Sequence, residues 1–213
     1  MEQPSLPKSG CGRIVLRRTN ARRRVTVFFA GRHACGPRID DGYGSAFALR
    51  HGLNAVLVQP NRPRWYQGPL GRQLPQLLAE VLAGFDHVTF GGAGMGAYGA
   101  LLAAQHIAAD HVLAVHPVST LDPRKAPLSR AQRRDGARLG RDIAPVLTHR
   151  ARHYTLVATG PEDAVHAARM FLPAGRTTRL NAGQLTPGGT LGLSDRALLG
   201  LLGAAAPALA RAG

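Results

Sequence analysis

The sequence contains few cysteines, and that scarcity excludes two classes of small protein. Cys11 and Cys35 are the two cysteines among 213 residues. Two thiols can build neither a disulfide scaffold nor a zinc site of four cysteine ligands. The hydrophobic content is 45%, which excludes a wholly disordered chain and suffices for one sizeable core.

Long apolar runs are also missing. The longest covers residues 197–210, with 14 residues and Pro207 inside it, whereas a membrane span needs about 20. The first ten residues contain no apolar segment of the kind that a secretory signal requires. We therefore predict no membrane span and expect a cytoplasmic protein.

Lysine and acidic residues are scarce beside arginine. Of the 27 basic residues 25 are arginine, against 12 acidic residues, and the formal net charge is +15. This charge suggests an anionic partner such as nucleic acid. However, abundant Ala, Gly and Pro together with arginine are typical of a GC-rich coding bias, so a nucleic-acid partner is not favoured. The alternative is a nucleic-acid binder that uses Arg17, Arg18 and Arg22–Arg24.

Short apolar runs alternate with amphipathic segments along most of the chain. The pattern predicts strands at 14–16, 25–29, 55–58, 87–90, 112–115, 154–158 and 178–180. It predicts helices at 45–51, 73–82, 95–106, 129–141, 163–171 and 196–210, the last with Ser194 as N-cap. The polar turn between the first two strands favours a hairpin.

Repeated strand–helix–strand units with apolar strands indicate a parallel sheet covered on both faces. We predict one α/β domain, a three-layer α/β/α sandwich with a mostly parallel sheet, over residues 13–213. Residues 1–12 are predicted as a tail. Residues 118–150, which follow the strand at 112–115, are predicted as an excursion or partial lid. Ligands of such sheets bind at the carboxyl ends of the strands.

A glycine-rich turn at 91–99 fits two motifs. Gly94, Gly96 and Gly99 match Gly-x-Gly-x-x-Gly, which holds a dinucleotide pyrophosphate at a helix N-terminus. The acid expected after the next strand is missing, because His116 and Pro117 follow Val115. A Rossmann-type nucleotide-binding protein therefore stays an alternative, and we predict no cofactor.

The second motif is the nucleophile elbow, Gly-x-Ser-x-Gly. The segment Gly92-Ala93-Gly94-Met95-Gly96 fits it except that Gly94 stands where the serine belongs.

Three motifs in order make the chain resemble α/β-hydrolase-like proteins of bacterial polysaccharide gene clusters. They are Trp65-Tyr66-Gln67, the turn at 92–98, and the segment from His116 to Pro123. The resemblance covers about residues 25–205. It implies an α/β-hydrolase-like fold, and it implies that Asp163 and His166 match the Asp-x-x-His of relatives at the acid position. It also implies that Gln184 stands where relatives often have the basic histidine.

Without a serine at 94 and a histidine at 184 the acyl-enzyme route is absent, so we predict a degenerate site with no serine-hydrolase activity. Asp163 also suits a helix start, where it would pair with His166 one turn on. An active hydrolase or transferase with another nucleophile is an alternative, for which Cys35 with His33 is the candidate pair. A metal site from His33, His116 and Asp163 lacks metal-type spacing, so no metal is predicted.

The retained turn favours binding of a small anionic or carbohydrate-like ligand, because the N–H groups of Met95 and Gly96 begin a helix. We predict that the protein has a role in surface-polysaccharide metabolism. The predicted ligand-binding residues are Gly31, Arg32, Trp65, Tyr66, Gly94, Met95, Gly96 and His116. Trp65 and Tyr66 are predicted at the pocket mouth rather than in the core.

Overall fold

The computed structural model describes residues 11–20, 22–36, 43–146, 150–181 and 190–203. The strands are β1 (Gly12–Arg17), β2 (Arg24–Phe29), β3 (Ala55–Pro60), β4 (His87–Ala93), β5 (His111–Val115), β6 (His153–Ala158) and β7 (Thr177–Asn181). The helices are α1 (Ser45–Arg50), α2 (Pro69–Leu82), α3 (Met95–Ala103), α4 (Arg130–Leu139), α5 (Pro161–Ala168) and α6 (Asp195–Gly203).

These strands form one sheet in the order β1-β3-β2-β4-β5-β6-β7. β1 is antiparallel to β3, and the other neighbours are parallel. The predicted hairpin between β1 and β2 is wrong. β2 is buried along five of its six residues and lies between β3 and β4, whereas β1 alternates buried and half-buried residues, as an edge strand does.

Two apolar clusters lie on the two faces of the sheet. The larger joins side chains of α2, α3 and α5 to one face, with Phe29 packed edge-on against Tyr66 and Phe90. The smaller joins α1 and α6 to the other face through residues such as Phe47 and Leu198. The predicted three-layer α/β/α fold with a mostly parallel sheet is confirmed.

Element bounds differ from the predicted ones at both starts and ends. α2 begins at Pro69, four residues before the predicted start, since proline is well tolerated in the first turn of a helix. β4 continues through Gly91 and Gly92, which pair with Leu113 and Ala114 of β5. Ser194 accepts a hydrogen bond from the N–H of Ala197, as predicted for the cap of α6. The last predicted residues of this helix, 204–210, lie outside the described residues.

No helix in the described ranges combines the length and apolar character that crossing a membrane requires.

Candidate functional site

The turn between β4 and α3 holds its central residue in a rare backbone conformation. Gly94 has φ 54° and ψ −114°, and its N–H donates to the carbonyl of Val115 at the end of β5. Positive φ is the region that glycine enters at least cost. A Cβ atom at this position would have no heavy atom within 4 Å, so the space where a side chain would stand is open.

The glycines on either side are required for a different reason. A Cβ on Gly92 would lie 2.2 Å from the carbonyl of Gly96, and one on Gly96 would lie 2.2 Å from the carbonyl oxygen of Phe29. A Cβ on Gly99 would lie 2.5 Å from the ring of Tyr66. Close packing therefore explains Gly96 and Gly99 without a bound pyrophosphate. The sheet order also differs from the 3-2-1-4-5-6 order of a Rossmann fold.

His116 and Asp163 meet beside this turn. His116 directly follows β5, and its Nδ1 lies 2.8 Å from Oδ2 of Asp163 in α5. The hydroxyl and the N–H of Thr159 also donate to that oxygen, at 2.7 and 3.0 Å. His116 has φ 48°, a strained value for a residue other than glycine.

The carboxylate of Asp163 decides which ring nitrogen of His116 donates. Burial alone would raise the pKa of Asp163, but the hydrogen bonds from His116 and Thr159 lower that pKa to about 2. The ionised carboxylate can only accept, so Nδ1 is the donor of this hydrogen bond, and Nε2 holds the lone pair in the neutral tautomer of the ring. Within the described ranges Nε2 makes no hydrogen bond, and a Cβ on Gly192 would lie 3.6 Å from it.

His166 does not pair with Asp163, so that part of the prediction is wrong. Its Nε2 donates to the carbonyl of Pro127 at 2.9 Å, and its Nδ1 accepts from the N–H of Ser119 at 3.2 Å. The Ser119 hydroxyl lies 3.1 Å from the same Nδ1. Burial lowers the pKa of His166, which is 1% exposed. Both of its nitrogens are thus engaged in holding residues 119–127, and neither faces a ligand.

Cys35 lacks the features of an activated thiol. Its Sγ donates to the carbonyl of Gly31 at 3.5 Å rather than to His33, which is exposed. Burial and the charge of Asp135 raise the pKa of Cys35 to about 11, so the thiolate is scarce at neutral pH. The pair of Cys35 and His33 is not formed as a nucleophile and base.

Arg32 binds within the protein rather than facing the turn. Its Nε donates to Oδ2 of Asp135 in α4 at 2.9 Å, and Nε1 of Trp65 donates to the same oxygen at 3.0 Å. Asp135 was not singled out from the sequence, although it is the one acid in the basic helix α4. Gly31 does lie at the turn, since its Cβ position is 3.3 Å from the carbonyl oxygen of Ala93.

Trp65 and Tyr66 belong to the core, and the prediction that they line the pocket mouth is wrong. Both are 2% exposed, and Trp65 packs edge-on against Tyr98 of α3. The Tyr66 hydroxyl donates to the carbonyl of Ala30 at 2.9 Å. A buried aromatic ring contributes a large apolar area to the core, and its polar atom then needs a hydrogen-bond partner, which both rings have here.

The other predicted site residues add no side chain to the pair of His116 and Asp163 in the described part of the chain. Met95 is buried, so only its N–H could meet a ligand at the start of α3. Gln184 lies outside the described residues. Among the described residues, no group of three metal-binding side chains comes together, including His33, His116 and Asp163. Of the arginines proposed for nucleic acid, Arg18 stacks on Phe85 and Arg23 pairs with Asp86.

Solved structures resemble this fold, whereas no protein-family model and no curated protein matches the chain. A carboxyl esterase of the fungus Tuber melanosporum aligns at TM-score 0.61 and 15% identity, over 85% of this chain and 74% of that one. The glycosylation-associated Gap123 complex of Streptococcus agalactiae aligns at 0.59 and 14%, over 84% of this chain and 41% of that one. The capsule O-acetyltransferase of Neisseria meningitidis serogroup A aligns at 0.50 and 12%, over 84% and 86%. With these neighbours and its seven-stranded sheet, the protein has an α/β-hydrolase-like fold.

Proposed function

We propose that the protein binds a small anionic or polyhydroxyl ligand at the β4–α3 turn, without acyl-enzyme chemistry. The observation that carries the proposal is Gly94, which combines a positive φ at a strand-to-helix turn with an open side-chain position. A strained turn of this kind is what a nucleophile elbow requires. A ligand oxygen placed in that space would lie at the start of α3, and His116 directly follows Val115, whose carbonyl accepts from the N–H of Gly94. No side chain at position 94 is present to form an ester with it.

A role in surface-polysaccharide metabolism fits two of the structural neighbours. One is a capsule O-acetyltransferase and another belongs to a glycosylation-associated complex. The structural similarity to these two proteins supports a hydroxyl-rich ligand, with or without a carboxylate.

Glucuronic acid tests the binding proposal, because it carries both hydroxyls and a carboxylate. We expect it to raise the melting temperature of the protein. Gly94→Asn, which fills the open space, should abolish this shift in melting temperature. Gly160→Asn, at the N-cap of α5, should leave the shift unchanged. A shift of equal size in both variants, or none in the parent, would contradict binding at this turn.

A second candidate function rests on the pair of His116 and Asp163. With Nδ1 held by Asp163, the lone pair of Nε2 can take a proton from water while the water oxygen attacks an ester carbonyl carbon. The tetrahedral intermediate then expels the alcohol, which takes the proton back from Nε2. The products are the acid and the alcohol, and no covalent bond to the protein forms.

p-Nitrophenyl acetate separates the two candidates. The second candidate function predicts hydrolysis that shows no initial burst and that is lost in His116→Ala. It also predicts that a fluorophosphonate does not label the protein. Absence of hydrolysis together with a glucuronate-induced shift would support binding alone. Fluorophosphonate labelling of one serine in the parent protein would contradict both.

A further inference from the structure

A groove lined by four arginines lies apart from the residues of the β4–α3 turn. Arg62 and Arg64 come from the loop between β3 and α2, and Arg138 and Arg141 from the end of α4 and the residues after it. We call it the arginine groove. It encloses about 470 Å³, and no acidic residue is among the side chains that line it.

The four guanidinium groups have no counter-ion in the described part of the chain. Some arginines elsewhere do pair with carboxylates, as Arg50 does with Asp195 and Arg124 with Asp122. The acids nearest in sequence to the groove are bound to other groups. Asp135 accepts from Arg32 and Trp65, and Asp142 accepts from Thr120, Lys125 and backbone N–H groups. Four exposed arginines therefore line one groove without a paired acid among the described residues.

A buried hydrogen bond joins the two walls of the arginine groove. Trp65, next to Arg64, donates from Nε1 to Asp135 of α4 at 3.0 Å, and both side chains are buried. Trp65 and Tyr66 each have φ 53°, a strained backbone that their packing in the core maintains. The wall that carries Arg62 and Arg64 is thus held at a set position relative to α4.

The second wall is fixed as well. α4 begins with a capping box, in which the Ser129 hydroxyl accepts from the N–H of Gln132 and the Gln132 side chain accepts from the N–H of Ser129. It ends at Gly140, whose φ of 65° turns the chain between Arg138 and Arg141. The backbone that carries all four arginines is therefore ordered before any ligand arrives.

We propose that the arginine groove binds a small ligand with two or more phosphate-type oxyanion groups. Guanidinium forks match the oxygens of phosphate, and several forks on one rigid groove favour a multivalent anion over a single one. This inference is independent of the ligand proposed for the β4–α3 turn.

Inorganic tripolyphosphate tests this proposal in titration calorimetry at low salt. We expect binding that Arg64→Gln/Arg138→Gln weakens about tenfold or more, since each lost charged contact contributes on that scale. The matched control is Arg169→Gln/Arg176→Gln, which removes the same charge from exposed positions outside the groove and should leave binding nearly unchanged. A second variant, Arg62→Gln/Arg141→Gln, should reproduce the loss.

Three outcomes would overturn the proposal. Equal weakening in the groove variants and the control would indicate general charge attraction. Absence of tripolyphosphate binding would remove the site. Binding of a short DNA duplex but not of tripolyphosphate would point to nucleic acid instead. Thermal unfolding of each variant verifies that the groove variants are folded.

Discussion

At the scale of single residues, the glycines of the β4–α3 turn serve different physical needs. Gly92 and Gly96 let backbone segments approach more closely than any Cβ would allow. Gly94 has ample space but a positive φ. The strain of a substitution at Gly94 is therefore conformational, whereas at Gly92 and Gly96 it is steric.

Gly94→Ser should destabilise the protein by about 1–2 kcal/mol, because serine must adopt the positive φ while its side chain meets no clash. Urea unfolding measures this change. Gly160→Ser is the control, since Gly160 has an extended backbone with φ −161° and an open Cβ position. It should change stability by only a few tenths of a kcal/mol. A Gly94→Ser variant as stable as the parent would show that the turn is not strained for serine.

At the scale of elements, α4 is fastened to the rest of the fold through one carboxylate. Asp135 lies on a helix that is otherwise polar and exposed, and its side chain is fully buried. By accepting from both Arg32 and Trp65 it ties α4 to the loop after β2 and the loop after β3. The position of this helix thus depends on a polar contact more than on an apolar stripe.

Asp135→Ala should cost about 3 kcal/mol, because it leaves the buried Trp65 N–H without an acceptor and Arg32 without its partner. Asp135→Asn, which keeps an acceptor oxygen, should cost less. Ser129→Ala serves as a comparison, since the loss of a helix cap alone costs about 1 kcal/mol. If urea unfolding gives Asp135→Ala no larger a loss than Ser129→Ala, the carboxylate does not fasten the helix.

At the scale of the whole molecule, three histidines lie near the amino ends of adjacent parallel strands. They are His87 of β4, His111 of β5 and His153 of β6, and the rings of His111 and His153 are 5.7 Å apart. Burial, with the neighbouring histidines, lowers the pKa of His111 to about 4. Burial also lowers the pKa of His87.

Stability should fall as the pH drops from about 6.5 to about 4. In this window an unfolded His111 binds a proton whereas the folded one does not, so protons favour the unfolded state. Above pH 6.5 the ring of His111 does not lower the free energy of unfolding. Below about pH 4 its protonation in the unfolded state has lowered that free energy by about 3 kcal/mol. Unfolding free energies of the parent and of His111→Gln across this range test it. The same slope in both would assign the pH dependence to other groups.

Much of the fold follows from local patterns in the chain. Apolar runs such as 55–58 and 112–115 mark buried strands, and Ser194 marks the start of α6, because these signals act between residues close in sequence. The rule that ligands bind at the carboxyl ends of parallel strands placed His116 and Asp163 at one edge of the sheet. It did not pair them, since a residue three positions away, His166, offered a nearer partner for Asp163.

By itself the sequence determined the layer architecture, the strand–turn–helix at Gly94 and the absence of a nucleophile there. Only the tertiary structure decided that β1 pairs with β3, that Trp65 and Tyr66 lie in the core, and that Asp163 holds His116. Each of these contacts joins segments far apart in the chain. Its energy comes from burial and polar satisfaction that exist only once the sheet has assembled, so no local pattern specifies it.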